Sequence, residues 1–198
     1  MRILVIGATG TIGRAVVEAL SPRHEIVAVS HTRAPLTVDI ALPASIRAMY
    51  NAVRKVDAVV SAAGQAKFAP LTALTDEDFA FSLAHKLMGQ VNLVRFGLDH
   101  VRDGGCFVLT SGVLGRTPMV GGAAISTVNA GLEGFARAAA LEAPRGIRVN
   151  VVSPPWVTET LAALGMDLSQ GLPAATVAKA YVQAVEGTQT GTVIEPSA

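Results

Sequence analysis

Residues 3–13 read ILVIGATGTIG, and this stretch decides the fold. Its first four residues are apolar and mostly β-branched, which predicts a short buried strand. Three glycines follow, and apolar residues then recur at the spacing of a helix: Ile12, Ala15, Val16, Ala19 and Leu20. Because the glycines lie between a strand and a helix, the stretch predicts the tight turn of a βα unit.

Further apolar runs alternate with helical patterns along the rest of the chain. Five runs resemble the first strand: EIVAV (25–29), DAVVS (57–61), CFVLTS (106–111), IRVNVVS (147–153) and GTVIE (191–195). They are nearly continuous, as in parallel strands that are covered on both faces. The sequence therefore predicts one α/β domain over residues 1–198, a doubly wound Rossmann domain whose mostly parallel sheet of about seven strands is flanked by helices on both faces.

Three longer helices are predicted between these strands. Residues 75–78 read TDED, a capping-box pattern that opens a helix through about Asp99. Two more helices are predicted at about 126–141 and 173–186. The first of the three has five apolar residues spaced for burial: Phe79, Leu83, Leu87, Val91 and Val94.

Composition narrows the class of protein. Of 198 residues, 51% are hydrophobic and 16% charged, which excludes a disordered chain. A net charge of +1 provides no basic field for nucleic acid, and no apolar run reaches the roughly eighteen residues of a membrane span. The N-terminus lacks the apolar stretch of a signal peptide, so we expect a cytoplasmic protein.

Two further expectations follow from residue counts. The single cysteine, Cys106, cannot form an internal disulfide, and no metal site is expected because zinc ligands come as several Cys and His together. The low charge leaves apolar faces that a monomer of this size covers poorly. This favours a homodimer or homotetramer.

The glycine turn predicts a bound dinucleotide. Glycine allows backbone N–H groups to approach a pyrophosphate, and the dipole of the helix that follows favours negative charge. The alternative is a glycine-rich turn without a ligand. The residues predicted to hold the cofactor here are Gly7, Thr9, Gly10, Thr11, Ile12 and Gly13.

Residues 30–33 read SHTR, where the second strand ends. A dinucleotide with a free ribose 2′-hydroxyl is usually held there by Asp or Glu, and this position has neither. A guanidinium with neighbouring hydroxyls instead suits a 2′-phosphate, which favours NADP(H) over NAD(H). The alternative is a solvated polar loop. The residues predicted to bind the cofactor are Ser30, His31, Thr32 and Arg33.

The order of these pieces resembles the short-chain dehydrogenase/reductase family over nearly the whole chain. The glycine turn is similar to the family's GxxGxxG variant. Residues 61–64 (SAAG) stand where the family has NNAG, and residues 149–158 (VNVVSPPWVT) are similar to its VNxVxPGxxxT. The resemblance implies further cofactor contacts at Asp39, Ile40, Ala62, Ala63, Gly64, Asn129, Pro154, Val157 and Thr158.

The resemblance fails at the family's YxxxK motif. Residues 130–135 (AGLEGF) are similar to the family's KAALEGF, and this register places Ile125 at the tyrosine and Asn129 at the lysine. In the family the tyrosine protonates the carbonyl oxygen, which isoleucine cannot do. A second register, on residues 85–89 (HKLMG), places Lys86 where the family has a supporting asparagine. Lysine and asparagine are thus exchanged.

The resemblance implies an NADP(H)-dependent oxidoreductase acting on a small carbonyl or alcohol, with Ser111, Lys86 and Asn129 as the catalytic set. Ser111 closes the fifth strand, where the family's catalytic serine lies. Two plainer interpretations remain open: Lys86 as a side chain that extends to solvent, and Ser111 as a strand-end hydroxyl. The rival function is a non-catalytic NADP(H) sensor or regulatory protein that has lost its acid. A sugar-nucleotide epimerase would need the absent tyrosine.

Overall fold

The computed structural model describes residues 1–197, which form one parallel sheet with helices on both sides. The strands are β1 (Arg2–Ile6), β2 (Glu25–Ser30), β3 (Leu36–Thr37), β4 (Val56–Ser61), β5 (Val101–Thr110), β6 (Arg148–Val152) and β7 (Val193–Ile194). The helices are α1 (Thr11–Leu20), α2 (Pro43–Ala52), α3 (Asp76–Ser82), α4 (Gly89–Gly97), α5 (Ala123–Glu142), α6 (Thr158–Ala163) and α7 (Ala174–Glu186). No helix within residues 1–197 is both long and apolar enough to cross a bilayer.

The sheet has the strand order β3-β2-β1-β4-β5-β6-β7, and every pairing is parallel. This confirms the predicted doubly wound Rossmann architecture. The direction in which strands are added reverses between β1 and β4. In open parallel sheets such a reversal leaves a crevice at the carboxyl ends of the strands, where ligands bind.

Two apolar layers hold the helices against the sheet. On one face α2, α4 and α5 bury Tyr50, Leu93 and Leu132, and the Tyr50 hydroxyl donates a hydrogen bond to the Leu93 carbonyl at 2.7 Å. On the other face α1 and α7 bury residues that include Val16 and Tyr181. Because β1, β4 and β5 contribute side chains to both layers, they read as continuous apolar runs.

The helical stretch predicted from Thr75 to Asp99 is not one regular helix. The capping box is confirmed, since the Thr75 hydroxyl accepts from the Asp78 N–H and the Asp78 carboxylate accepts from the Thr75 N–H. However, the π-helical turn Leu83–Met88 separates α3 from α4. This wider turn breaks the 3.6-residue spacing, and the expected burial of Leu83 is wrong: it is 38% exposed.

Helix α2 and strand β5 are two of the other elements that differ from the sequence prediction. Helix α2 was not predicted, although Pro43 opens it and Ile46, Met49 and Tyr50 have the spacing of a buried face. Strand β5 begins at Val101, five residues before its apolar run, because its first part passes an irregularity in the β4–β5 pairing. Neither difference changes the edge of the sheet at which the strands end.

Two helical glycines give a matched test of the packing. A Cβ at Gly97 would lie 2.7 Å from Cζ of Tyr50, whereas a Cβ at Gly134 would meet nothing within 4 Å. We expect Gly97→Ala to lower the free energy of unfolding by about 1–3 kcal/mol through overpacking. Gly134→Ala should raise it by about 0.5–1 kcal/mol because alanine favours the helix. Urea denaturation measures both, and equal effects would contradict this account of the core.

Candidate active site

The carboxyl ends of the parallel strands bring the predicted site residues to one edge of the sheet. Two cavities lie there. The glycine-turn cavity, of about 350 Å³, includes Gly7, Gly10 and Arg33 in its wall. The Lys86 cavity, of about 260 Å³, includes Lys86 and Asn129. The two adjoin at Gly64 of the first cavity, where a Cβ would lie 3.1 Å from Cγ of Lys86.

The glycine turn is built so that no side chain fits between β1 and α1. Gly7 has φ +81°, and a Cβ there would lie 2.5 Å from the Ala62 carbonyl oxygen. A Cβ at Gly13 would overlap the Gly7 carbonyl. Helix α1 has no side-chain cap at Gly10, so the N–H groups of its first turn remain available to a ligand.

Most residues predicted to bind the cofactor reach a cavity wall. Those lining the glycine-turn cavity are Gly7, Thr9, Gly10, Ser30, His31, Arg33, Asp39, Ile40, Ala62, Ala63 and Gly64. Those lining the Lys86 cavity are Ile12, Asn129, Pro154 and Val157. Four other residues predicted to bind the cofactor line neither cavity. Thr11 and Gly13 lie in the first turn of α1, Thr32 is exposed, and Thr158 packs against Gly171 instead.

A short hydrogen-bonded turn presents Arg33 at the mouth of the glycine-turn cavity. The Ser30 hydroxyl accepts a hydrogen bond from the Arg33 backbone N–H at 2.7 Å, which fixes the turn after β2. Asp39 is the one acidic side chain among the described residues of this wall, and its Oδ1 accepts from the Ala41 N–H at 2.9 Å. The end of β2 therefore offers a ligand the Arg33 guanidinium and the Ser30 hydroxyl rather than a carboxylate.

Lys86 is a buried cation placed by the π-helical turn. Its side chain is 91% buried, and Nζ donates a hydrogen bond to the Ser111 carbonyl oxygen at 3.2 Å. Burial lowers the pKa of Lys86 from its ordinary 10.5 to about 8. The turn that places it was not predicted, because i to i+5 hydrogen bonding has no simple sequence pattern.

Ser111 and Glu133 form a buried pair that the sequence did not predict. The Ser111 hydroxyl donates a hydrogen bond to Oε1 of Glu133 at 3.1 Å, and both residues are buried. The Arg116 guanidinium lies 3.5 Å from Oε2 of the same carboxylate. The only signal was position, since Glu133 lies one helical turn beyond Asn129 on the same face of α5. Because the Ser111 O–H points toward Glu133, the lone pairs of the Ser111 oxygen can accept a hydrogen bond from a ligand.

The buried amide of Asn129 is only partly satisfied. Its Oδ1 is buried, with no hydrogen-bond partner among the described residues. A Cβ at Gly112 would lie 3.1 Å from its Nδ2, so the amide faces the cavity wall at Gly112. A buried amide oxygen without a partner is costly, and a hydroxyl group of a ligand would satisfy it.

Neither tyrosine of the chain lines the Lys86 cavity. Tyr50 lies among α2 and α4, and Tyr181 lies on α7, where its hydroxyl is 2.6 Å from the Thr110 hydroxyl. Burial raises the pKa of both phenols, which makes them poor acids. Ile125 does line the cavity, at the position where the resemblance expects a tyrosine. Lys86 is therefore the one charged group among the described residues of this wall.

Comparison with known proteins agrees with this geometry. The family model for enoyl-(acyl carrier protein) reductase matches residues 8–192. The chain is 30% identical over 192 residues to 3-oxoacyl-(acyl-carrier-protein) reductase FabG of Escherichia coli, covering 85% of this chain and 79% of that one.

Solved structures give the same result over the full length. The protein lin1944 of Listeria innocua is 44% identical, with a TM-score of 0.96 and coverage of 100% of both chains. A small-chain dehydrogenase in complex with NADPH is 25% identical, with a TM-score of 0.88 and coverage of 98% of this chain and 95% of that one. From its fold, its strand-end site and these matches, the chain belongs to the short-chain dehydrogenase/reductase superfamily, whose members are oxidoreductases that bind a nicotinamide dinucleotide.

Proposed function

We propose that the protein is an NADP(H)-dependent oxidoreductase that reduces a small carbonyl compound or oxidises the corresponding alcohol. The observation that carries this proposal is the contact between Gly64 and Lys86, which makes the two cavities neighbours at one edge of the sheet. A dinucleotide lying along the glycine turn would place its far end in the Lys86 cavity. There it would meet a buried cation and two polar groups, Ser111 and Asn129.

The residues present fit such a cofactor. The cavity that Gly7 lines and the free N–H groups at the start of α1 suit a pyrophosphate. Asn129 would hold a ribose hydroxyl with its unpartnered amide oxygen. The apolar side chains of Ile12 and Val157 would lie against the nicotinamide ring.

A preference for NADP(H) is supported by the end of β2. Arg33 can form charge-assisted hydrogen bonds with a 2′-phosphate, while the same position offers no carboxylate to a 2′-hydroxyl. The similar small-chain dehydrogenase, whose structure contains NADPH, supports the same choice.

Lys86 is the residue we propose as proton donor. When bound, NADPH supplies a hydride to the carbonyl carbon. The Lys86 ammonium stabilises the oxygen as negative charge develops there and gives it a proton. A pKa of about 8 suits an acid that works near neutral pH. Ser111, held by Glu133, contacts the same oxygen and accepts a hydrogen bond from the product hydroxyl.

A non-catalytic NADP(H) sensor is the second candidate. It is favoured by Ile125, which lines the cavity where a proton donor is expected, and by the engagement of the Ser111 hydroxyl with Glu133. Such a protein would bind the dinucleotide in the same way and release it unchanged.

The first prediction concerns the choice of cofactor. We expect Arg33→Ala to weaken NADPH binding about ten-fold, because charge-assisted hydrogen bonds to the 2′-phosphate are lost, and to leave NADH binding nearly unchanged. Arg54→Ala, at an exposed arginine outside both cavities, is the matched control. Fluorescence titration with each dinucleotide measures the affinities. Equal binding of NADPH and NADH by the unaltered protein would contradict the role of Arg33.

The second prediction concerns turnover. NADPH oxidation should be detectable with small aldehydes or ketones, and Lys86→Met should lower kcat by about 100- to 10,000-fold, the usual range for loss of a general acid. Ser111→Ala should have a smaller effect, since Lys86 remains. Tight NADPH binding without turnover of any compound in the panel would instead support the sensor.

The third prediction concerns the stability conferred or lost at Lys86. Below about pH 8 Lys86 is charged in both the folded and the unfolded states, so burying the charge lowers the stability of the fold. Near pH 10.5 the side chain is neutral in the folded state but half protonated in the unfolded state. The unfolded state therefore binds more protons between these values, and stability rises with pH. We expect the unfolding free energy of the wild type, relative to that of Lys86→Met, to rise by on the order of 1–3 kcal/mol from pH 8 to 10.5. A constant difference in urea denaturation would show that Lys86 is not buried as a cation.

A further inference from the structure

Among the described residues, the wall of the Lys86 cavity carries one charge and no opposite charge. None of the other residues in its wall is ionisable as an acid or a base: Ile12, Thr110, Ser111, Gly112, Val113, Leu114, Ile125, Asn129, Pro154, Pro155, Trp156, Val157 and Thr160. Glu133, the acidic residue behind Ser111, is already engaged by Ser111 and Arg116. Lys86 forms no ion pair with any of the described residues.

An ammonium group has three N–H donors, and within residues 1–197 only one of those of Lys86 has a partner, the Ser111 carbonyl oxygen. A buried cation without a counterion is strongly disfavoured unless something else compensates it. An anionic ligand would provide both the missing charge and the missing acceptors.

The rest of the cavity limits what that anion can be. The walls formed by Leu114, Ile125 and Trp156 are apolar, and the whole cavity is about 260 Å³. Part of that volume would hold the nicotinamide ring. The space that remains suits a small molecule with one anionic end and an apolar body. A second charge on the ligand would find no partner.

We propose that the substrate is a small 2-oxo acid with an apolar side chain, whose carboxylate binds Lys86. This inference rests on the proposed function, in which Lys86 also serves the reacting oxygen. One ammonium group contacts both oxygens most readily when carboxylate and carbonyl are on adjacent carbons, because the two oxygens then lie close together in one plane. The hydride adds to C2, the C2–O double bond becomes single, and the oxygen takes a proton from Lys86. The products are a 2-hydroxy acid, the oxidised dinucleotide and a neutral Lys86, which regains its proton from water.

Trp156 allows binding to be measured without turnover. It is the only tryptophan of the chain and it lines the Lys86 cavity, so its fluorescence reports on ligands there. The protein is titrated, with and without NADP⁺, with 4-methyl-2-oxopentanoate, with the methyl ester of this acid and with 4-methyl-2-pentanone. We expect the acid to bind at least about ten-fold more tightly than the ester or the ketone, because only the acid pairs with Lys86.

Two variants test whether the preference for the acid over the ester depends on Lys86. Lys86→Met should lower the affinity for the acid at least about ten-fold and leave the affinity for the ester nearly unchanged. Lys55→Met, at an exposed lysine outside the cavity, should change neither. Thermal unfolding of each variant, followed by circular dichroism, shows whether the fold is kept, and the comparison of acid with ester on the wild type needs no variant at all.

Three results would overturn the inference: equal affinity for acid and ester, no binding of the acid, or acid binding that survives Lys86→Met. The proposed function is tested separately. If NADPH binds and neutral ketones are reduced but the acid neither binds nor reacts, the result supports the proposed function and contradicts the assignment of a 2-oxo acid as substrate. If the acid binds through Lys86 but NADPH does not bind, the result supports an anion site at Lys86 and contradicts the proposed function.

Discussion

The close approach of three backbone segments at Gly7 is the constraint on which the rest of the site depends. Strand β1 must turn into α1 without a side chain, since a Cβ at Gly7 would meet Ala62 and one at Gly13 would meet Gly7. This packing places the first turn of α1 at the carboxyl edge of the sheet, next to the end of β4. The same edge carries the ends of β2, β5 and β6, so residues distant in sequence surround one crevice.

The second feature that determines the site is the buried charge of Lys86, whose removal from water costs free energy. The π-helical turn widens the helical path between α3 and α4 and positions Lys86 against Gly64 and the Ser111 carbonyl. Turns of this type are found frequently at functional sites. The Ser111–Glu133–Arg116 chain shows the opposite arrangement, in which a buried carboxylate is fully engaged. Of these two buried charges, only Lys86 is left without an opposite charge.

The sequence predicted the sheet well because buried parallel strands are continuous apolar runs with glycine or polar residues at their ends. It also identified Lys86, Ser111 and Asn129, which the structure brings to one cavity. It did not predict the π-helical turn, because i to i+5 hydrogen bonding has no simple sequence pattern. It also did not predict the Ser111–Glu133 hydrogen bond, because that bond depends on how α5 packs beside the end of β5. Two loop residues were predicted less well: Thr32 is exposed and lies outside the cavity walls, and Thr158 packs against Gly171.

A crystal structure of the protein with bound NADPH would test the central claim most directly. The account predicts that the pyrophosphate lies within hydrogen-bond distance of the N–H groups in the first turn of α1. It also predicts that the nicotinamide ring lies in the Lys86 cavity, beside Ser111 and Asn129. A dinucleotide whose ring lies outside that cavity, or crystals in which the glycine-turn cavity takes up no NADPH, would contradict it.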